Sequence, residues 1–542
     1  MFKIDAAFAE RVRINQAQLR IAQEQSASAS TPRYDFIVCG AGSSGSVVAR
    51  RLAENPDVAV LLVEAGGDDD DPYVVEPGRA IENVGSVRDW GFAGIPEADV
   101  NFRSIPYSMG KVLGGGSSIN LMVWARGHRD DWDFFATEAG DAAWNYNSVL
   151  DIYRKIEDWR GIAETTYRGT GGLVIVQPPN DPNPLAPATL DAAQSVGVPK
   201  FPSANGSLME KEAGCSLTEV RIVNGQRQSV FRSYTYPYMD RPNLTVLTEA
   251  EVRRLIIDGR KVLGIEICHR GQIKRIDAAV EVVLSLGAIN TPKVLMQSGI
   301  GDEGELHRVG IPVRHKLPGV GRNLQDHVAF DCVWEYAQPQ SPKNNLSEST
   351  MFGNVVSGLT APDVFACQFE IPFASSENIA EFGVPEAGWT LHGAITQPQS
   401  RGRVRLTGPT PDHDLAIQAN TLSDPHDLKT AIACVEWCRE IGNAGPLRPY
   451  VKREVMPGNL TGAELERFVR NAATTFFHQS GTAKMGRDEM SVVNAQLLVY
   501  GLDNLRIADG SIMPRITTAN TMAPCVIIGE RAAAVLKAAY QL

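Results

Sequence analysis

Gly40, Gly42 and Gly45 stand in a Gly-x-Gly-x-x-Gly series directly after the apolar run Tyr34–Cys39, and Glu64 closes a second apolar run nineteen residues later. Each part has a physical use. Gly40 permits a tight turn, Gly42 lets backbone approach a pyrophosphate, and Gly45 lets the next helix pack close to the strand. The start of that helix, around Ser43 and Ser44, supplies free N–H groups and a partial positive charge for phosphates. Glu64 can accept two hydrogen bonds from ribose hydroxyls, and it would repel a 2′-phosphate. The pattern therefore points to NAD or FAD rather than NADP, and its place near the N-terminus favours FAD.

A second glycine cluster, Gly114-Gly-Gly-Ser117-Ser-Ile-Asn120, cannot sit inside a helix or strand. It makes a loop whose N–H groups and hydroxyls face something polar, and its small residues suit close approach to a flavin ring and phosphates. The chain has nine histidines, with no HxxH or HxxxH pair, so a local zinc motif is missing and no metal is expected. His478 differs from the others in context. It follows the apolar run Thr474-Thr-Phe-Phe477 and precedes Gln-Ser-Gly-Thr482, where a buried segment turns into a loop. An imidazole titrates near neutrality, which suits it to take up or release a proton.

These residues need elements to position them. Tyr34–Cys39 and Val58–Val63 read as strands, with a helix over Ser46–Asn55 between them; Leu244–Leu247 and Val282–Leu286 are further strand-like runs. Met1–Gln25 reads as a helix with Ile4, Phe8, Val12 and Leu19 on one face, and Ser26–Pro32 as a flexible link. Proline-rich breaks fall at Gln177–Pro187 and Ala337–Lys343. The 542 residues are 43% hydrophobic and 21% charged, a globular composition with several domains. A net charge of −11 with no basic run longer than a pair argues against nucleic acid and against docking on an anionic membrane. The eight cysteines form no CxxC, and Cys434 and Cys438, one helical turn apart, read as small buried hydrophobes. No apolar signal region and no membrane-length apolar stretch occur, so a cytoplasmic protein without a membrane span is expected.

Taken with further segments, the glycine clusters resemble those of the glucose–methanol–choline (GMC) oxidoreductase family. The resemblance continues through Gly287–Gly301, Leu317–His327 with its Asn-Leu-Gln-Asp-His ending, Ser400–Gly402, Leu422–Pro425, Phe476–Thr482, Met485-Gly486, Ala508–Ser511 and Ala519-Asn520. It implies an α/β fold with a Rossmann-type FAD-binding domain and a second α+β substrate domain built on an antiparallel sheet. The FAD-binding domain would comprise residues 33–160, 214–328 and 484–542, the substrate domain 161–213 and 329–483, after an N-terminal extension over 1–32.

The resemblance also implies roles. His478 matches the catalytic base, and Asn520 the partner that orients the substrate oxygen. Glu64 and Ala65 match ribose contacts, and Val252 the backbone contact to adenine. Val112, Gly115, Ser117, Asn120, Leu121, Met122 and Val123 match the stretch beside the isoalloxazine. Asp509 and Gly510 match pyrophosphate and ribityl contacts, with Phe477 and Thr521 also beside the cofactor, and His327 is expected to be structural. Some members attach FAD covalently through a histidine where this chain has Ile119, so non-covalent FAD is expected. The usual Gly-Thr-Cys-Arg-Met reads Gly481-Thr-Ala-Lys-Met485 here, a departure without a physical account. Phe477, Met122 and Trp124 suggest an apolar wall, hence a primary aryl, furanic or aliphatic alcohol oxidised to its aldehyde by hydride transfer to flavin N5. Reoxidation would be by O2, giving H2O2, or by another acceptor. A cyanohydrin-cleaving relative that keeps FAD without redox turnover, and a non-catalytic flavoprotein, are the alternative readings. The sequence leaves the oligomeric state open.

Overall fold

The computed structural model describes residues 6–29, 33–162, 164–356 and 358–542. The first glycine series lies at one end of a seven-stranded sheet. Its parallel part runs Leu244–Leu247, Val60–Val63, Arg33–Cys39, Gln272–Leu284 and Leu505–Ile507. Phe36, Ile37, Val38 and Cys39 are all buried, because a central parallel strand is covered on both faces. Gln272–Leu284 is long enough to serve two partners: its second half pairs with Arg33–Cys39, and its first half turns back on Lys261–His269. Ala250–Asp258 completes this antiparallel extension.

The helix after the glycine turn spans Ser43–Ala53, earlier at both ends than the expected Ser46–Asn55, because Gly42 itself takes the N-cap position. The C-terminal helix Met522–Tyr540 crosses it closely at Gly529, where a Cβ would lie 2.7 Å from the Ser44 carbonyl oxygen.

The N-terminal helix, Ala6–Ala29, covers the sheet edge at Leu244–Leu247. Phe8 and Val12 are buried there, as the apolar pattern requires; Leu19 is only partly buried. Gln16 acts as a substitute strand. Its Nε2 donates to the Met239 and Leu244 carbonyls, at 2.8 and 2.9 Å, and its Oε1 accepts from Val246 N–H at 2.9 Å. An edge strand covered in this way cannot recruit another chain. The helix runs on through Ala29, so the expected flexible link does not begin at Ser26. Ile4 and residues 30–32 lie outside the described residues.

The second sheet also has seven strands: Val451–Met456, Val328–Tyr336, Gly388–Ile395, Val364–Phe369, Ser349–Gly353 and Gly214–Leu217 in sequence across it, with Thr474-Thr475 beside Val328–Tyr336. Gly214–Leu217 thus pairs within this sheet, against the expectation that 214 begins a piece of the first unit. Helices Leu185–Ser195 and Pro425–Gly442 cover one face, with Cys434 and Cys438 buried on the latter. The Leu185–Ser195 helix begins inside the expected proline-rich break, with Pro187 in its first turn. The other face presents Ala329, Phe352, Phe365, Cys367 and Ala394, which cluster with Val123, Ala125 and Phe476. This face of the sheet therefore packs against the segments that carry Val123 and Phe476. Among the described residues, no helix is long and apolar enough to cross a membrane.

Candidate active site

The dinucleotide cradle is built by close backbone contacts. Gly40 adopts φ +97°, and a Cβ there would meet the Ser285 carbonyl oxygen at 2.3 Å. A Cβ on Gly45 would strike the Gly40 oxygen at 1.9 Å. Gly42 is the contrast: nothing lies within 4 Å of its Cβ position, so its open side is where a ligand can approach the backbone. No side chain caps the helix that starts at Ser43, which leaves its first N–H groups for an anion. The second glycine loop lies against the first. Gly114 N–H donates to Ala41 O at 2.8 Å, and a Cβ on Gly115 would come within 2.8 Å of Gly42 Cα. These features fit a dinucleotide on observations independent of the motif.

The side chains around the cradle are largely engaged with the protein. Glu64 accepts from Ala41 N–H at 3.0 Å and Gly66 N–H at 2.9 Å, and burial pushes its carboxyl up to about 7. It therefore fixes the turn. Ala65 is partly buried beside it. Ser44 Oγ donates to the Cys525 carbonyl at 2.7 Å, while Ser43 is half-buried at the helix start. Ser117 accepts from Val230 N–H at 2.9 Å, and Val112 is fully buried against Gly67. Asn120 Oδ1 accepts from Met122 N–H and from Arg227 Nη1, both at 2.9 Å. Asp509 accepts from Gly287 N–H at 3.0 Å, Thr291 Oγ1 at 2.6 Å and Ser511 N–H at 2.8 Å, which anchors Gly510 at the sheet end. Val252 lies two residues beyond Ala250, whose N–H donates to Glu64 O at 2.9 Å. Thr521 caps the C-terminal helix without a side-chain bond.

His478 is placed by strand pairing. Residues 474–480 run antiparallel to 325–329: Val328 pairs with Thr475, Ala329 with Thr474, and Gln325 bridges Ser480. This brings two rings together. His327 Nδ1 and His478 Nδ1 are 2.8 Å apart, and His327 Nε2 lies 3.1 Å from the Thr396 carbonyl. A carbonyl only accepts, so His327 carries its proton on Nε2. Burial pushes its pKa down to about 3, so the ring is neutral and its Nδ1 is a lone pair. His478 must then donate from Nδ1, leaving Nε2 unprotonated. That atom faces Asn520 Nδ2 at 3.3 Å. Burial foremost, then the His327 and His392 rings, holds His478 well below the usual imidazole range.

Asp326 fixes the turn that presents His478. It accepts from His478 N–H and Gln479 Nε2, each at 2.9 Å, and from the Thr475 hydroxyl. Thr475 Oγ1 in turn accepts from Phe477 N–H at 2.7 Å, so Phe477 is held at φ +60°. Met122, across the site in sequence, is at φ +59°. Such left-handed bulky residues persist only where surroundings over-determine them.

The apolar wall differs from expectation. Trp124 points into the main core, edge-on to Tyr153, and Met122 packs with Ala80, Val220 and Ile222. Phe477 is 41% exposed. The apolar cluster beside His478 is instead made by Val123, Ala125, Phe352, Phe365 and Phe476, with Phe476 stacked on the His478 ring. Val123 bridges Val220, and from this position onward side chains alternate, Val123 and Ala125 to one side and Trp124 to the other. His392, paired with Asp331 at 2.7 Å, sits 4.4 Å from Phe476, centroid to centroid. Sequence reading missed His392, Asp326 and the contact made by His327. The shared Asn-Leu-Gln-Asp-His segment was the available signal for the last two.

Sequence profiles described as GMC oxidoreductase match residues 34–329 and 398–529. The chain is 35% identical over 535 residues to an "Alcohol dehydrogenase [acceptor]" of Pseudomonas putida, covering 93% of this chain and 95% of that one. It is 34% identical over 529 residues to an oxygen-dependent choline dehydrogenase of Rhizobium etli, covering 92% and 94%. Its fold matches the crystal structure of pyridoxine 4-oxidase from Mesorbium loti with a TM-score of 0.87 and 31% identity, over 92% of this chain and 98% of that one. With the cradle, the histidine pair and the two-sheet architecture in place, the chain belongs to the GMC oxidoreductase family, FAD-dependent oxidoreductases that act on CH–OH groups.

Proposed function

We propose that this chain oxidises a primary alcohol with an apolar body, of aryl, furanic or aliphatic type, to its aldehyde. The observation that carries this reading is the ordered chain Thr396 O, His327, His478, Asn520, which leaves His478 Nε2 free of a proton beside the Asn520 amide. His478 Nε2 takes the hydroxyl proton, and Asn520 holds the substrate oxygen against it. Phe476, stacked on the His478 ring with 5.1 Å between centroids and backed by Phe365 and Phe352, makes that side of the site apolar and suits the substrate's apolar part.

FAD, when bound, accepts the two electrons that leave the carbinol carbon with its hydrogen. Gly40, Gly42, Ser43, Ser44 and Gly45 would hold its pyrophosphate, together with Asp509 and Gly510. Glu64 and Ala65 would hold the ribose, and Val252 the adenine. Val112, Gly115, Ser117, Asn120–Val123, Phe477 and Thr521 would border the ring. The half-buried aliphatic side chain of Ile119 offers no nucleophile, which supports non-covalent binding.

The test is a panel of benzyl, furfuryl and aliphatic alcohols, with choline for comparison, assayed for H2O2 in air and for dye reduction without oxygen. Apolar primary alcohols should turn over with kcat/KM well above that of choline. Peroxide in air identifies O2 as acceptor; dye reduction alone identifies another one. Exclusive turnover of choline would refute the substrate class.

A further inference from the structure

Arg221 and Arg227 are buried cations, 1% and 4% exposed, and neither has a carboxylate within ion-pair distance among the described residues. The acid beside them, Asp69, is bound by Arg232 at 2.6 Å and by Ser229 Oγ at 3.0 Å. Asp68 also lies on the Arg232 side, at 3.6 Å. Arg227 donates to Val74 O at 2.7 Å, Ser117 O at 3.2 Å and Asn120 Oδ1 at 2.9 Å, while its Nη2 has no partner. Arg221 donates from Nη2 to Ser229 O at 3.2 Å and Ser233 Oγ at 2.5 Å, with Nη1 3.8 Å from Met522 Sδ and Nε unpartnered. Burial lowers the two guanidiniums to about 10 and about 9, which leaves both charged at neutral pH.

An uncompensated buried charge is costly, and a pair of them more so, unless an anion shares the space. The place of this pair points to the cofactor site. Arg227 holds Ser117 and Asn120, and Arg221 N–H donates to Met122 O at 3.0 Å. Both thus back the loop that lies against Gly42 and was assigned above to the flavin ring. Oxidation of the substrate changes the charge there. The carbinol C–H bond breaks and its hydrogen leaves with both electrons; the O–H proton goes to His478 Nε2. A neutral oxidised ring that gains a hydrogen with two electrons, and no further proton, becomes an anion. We propose that Arg221 and Arg227 are the counter-charge for that reduced ring, and raise the reduction potential of the bound flavin. The inference rests on the FAD reading of the site.

The test is the midpoint potential of the FAD-loaded full chain, measured by reductive titration against a reference dye, for Arg227→Met and Arg227→Lys. Arg227→Met should lower the potential by about 30 mV or more, a tenfold loss of preference for reduced over oxidised flavin. Arg227→Lys keeps the charge and should retain most of the potential. An unchanged potential in Arg227→Met, or an equal fall in both variants, would overturn the proposal and assign a packing role. Should Arg227→Met fail to hold FAD, Arg221→Met and Arg221→Lys decide by the same criterion. Loss of FAD from the lysine variants as well would count against a charge effect. A wild-type protein that binds no FAD would instead overturn the reading on which the inference rests.

Discussion

His327 Nδ1 lies 2.8 Å from His478 Nδ1, and both rings are buried. One ring therefore sets the tautomer of the other. A hydrogen bond to one imidazole nitrogen decides which nitrogen remains basic, and here the chain of hydrogen bonds ends on the Thr396 carbonyl, which can only accept. Replacing His327 by Phe strands the Nδ1–H of His478 without an acceptor, a defect of about 1–3 kcal/mol, equivalent to roughly a tenfold to hundredfold loss in rate. His327→Asn offers an acceptor oxygen and should lose less. Single-turnover reduction of bound FAD checks this: equal rates in wild type and His327→Phe would remove His327 from the mechanism.

The pH dependence follows with a definite sign. Burial lowers the pKa of His478, so the ring gains its proton only below the ordinary imidazole value of about 6.5. The base is thus free at neutral pH, and kcat/KM should fall only as pH drops below about 6.5. A rate profile for a neutral alcohol shows whether it does; an acidic limb centred above pH 7 would contradict the burial argument.

Asp326 is predicted to be a positioning residue. Its carboxylate accepts from His478 N–H, Gln479 Nε2 and the Thr475 hydroxyl. In Asp326→Asn an amide N–H faces one of those donors, and the left-handed turn at Phe477 loses its anchor. Turnover should fall about tenfold to a hundredfold, from about 1–3 kcal/mol of lost fit. The yellow absorbance of the bound flavin should be unchanged. A variant with normal kcat would show that the strand pairing alone holds the turn.

Gln16 predicts an effect on stability without one on chemistry. Its three hydrogen bonds to the edge-strand region are replaced by none in Gln16→Ala, which takes these partners from the Leu244 carbonyl and the Val246 N–H, while the Met239 carbonyl keeps Asn15 Nδ2 at 2.8 Å. A loss of about 1–3 kcal/mol is expected, read as a lower melting temperature with activity at 25 °C retained. An unaltered melting temperature would mean that the helix contributes little to the first sheet.

Much of this was legible in sequence, for local reasons. Gly40, Gly42 and Gly45 are dictated by a turn, an open approach and a close contact within six residues, so the pattern carries its own geometry. His478 was legible from its place between a buried run and a loop. What escaped was non-local or alternating. His327 meets His478 across 151 residues, through antiparallel pairing that spacing does not reveal. The wall was assigned to Phe477, Met122 and Trp124, whereas the apolar cluster beside His478 takes Val123 and Ala125, because Met122 is left-handed at φ +59° and Trp124 alternates away from its neighbours. Phe476 and Phe477 divide in the same way, with the left-handed turn placing Phe477 outside the aromatic cluster. Glu64 was read as a ribose acceptor from its place at a strand end; that it also ties down Ala41 and Gly66 depends on how the turn folds back.

The most direct measurement mixes the FAD-loaded protein with a reactive alcohol in the absence of oxygen and follows the flavin colour. The wild type should bleach within turnover time, while His478→Ala should keep its FAD and bleach about a hundredfold to ten-thousandfold more slowly. Bleaching at the same rate in both proteins, or none in the wild type with any alcohol of the panel, would contradict a proton taken at His478 Nε2 as the flavin is reduced.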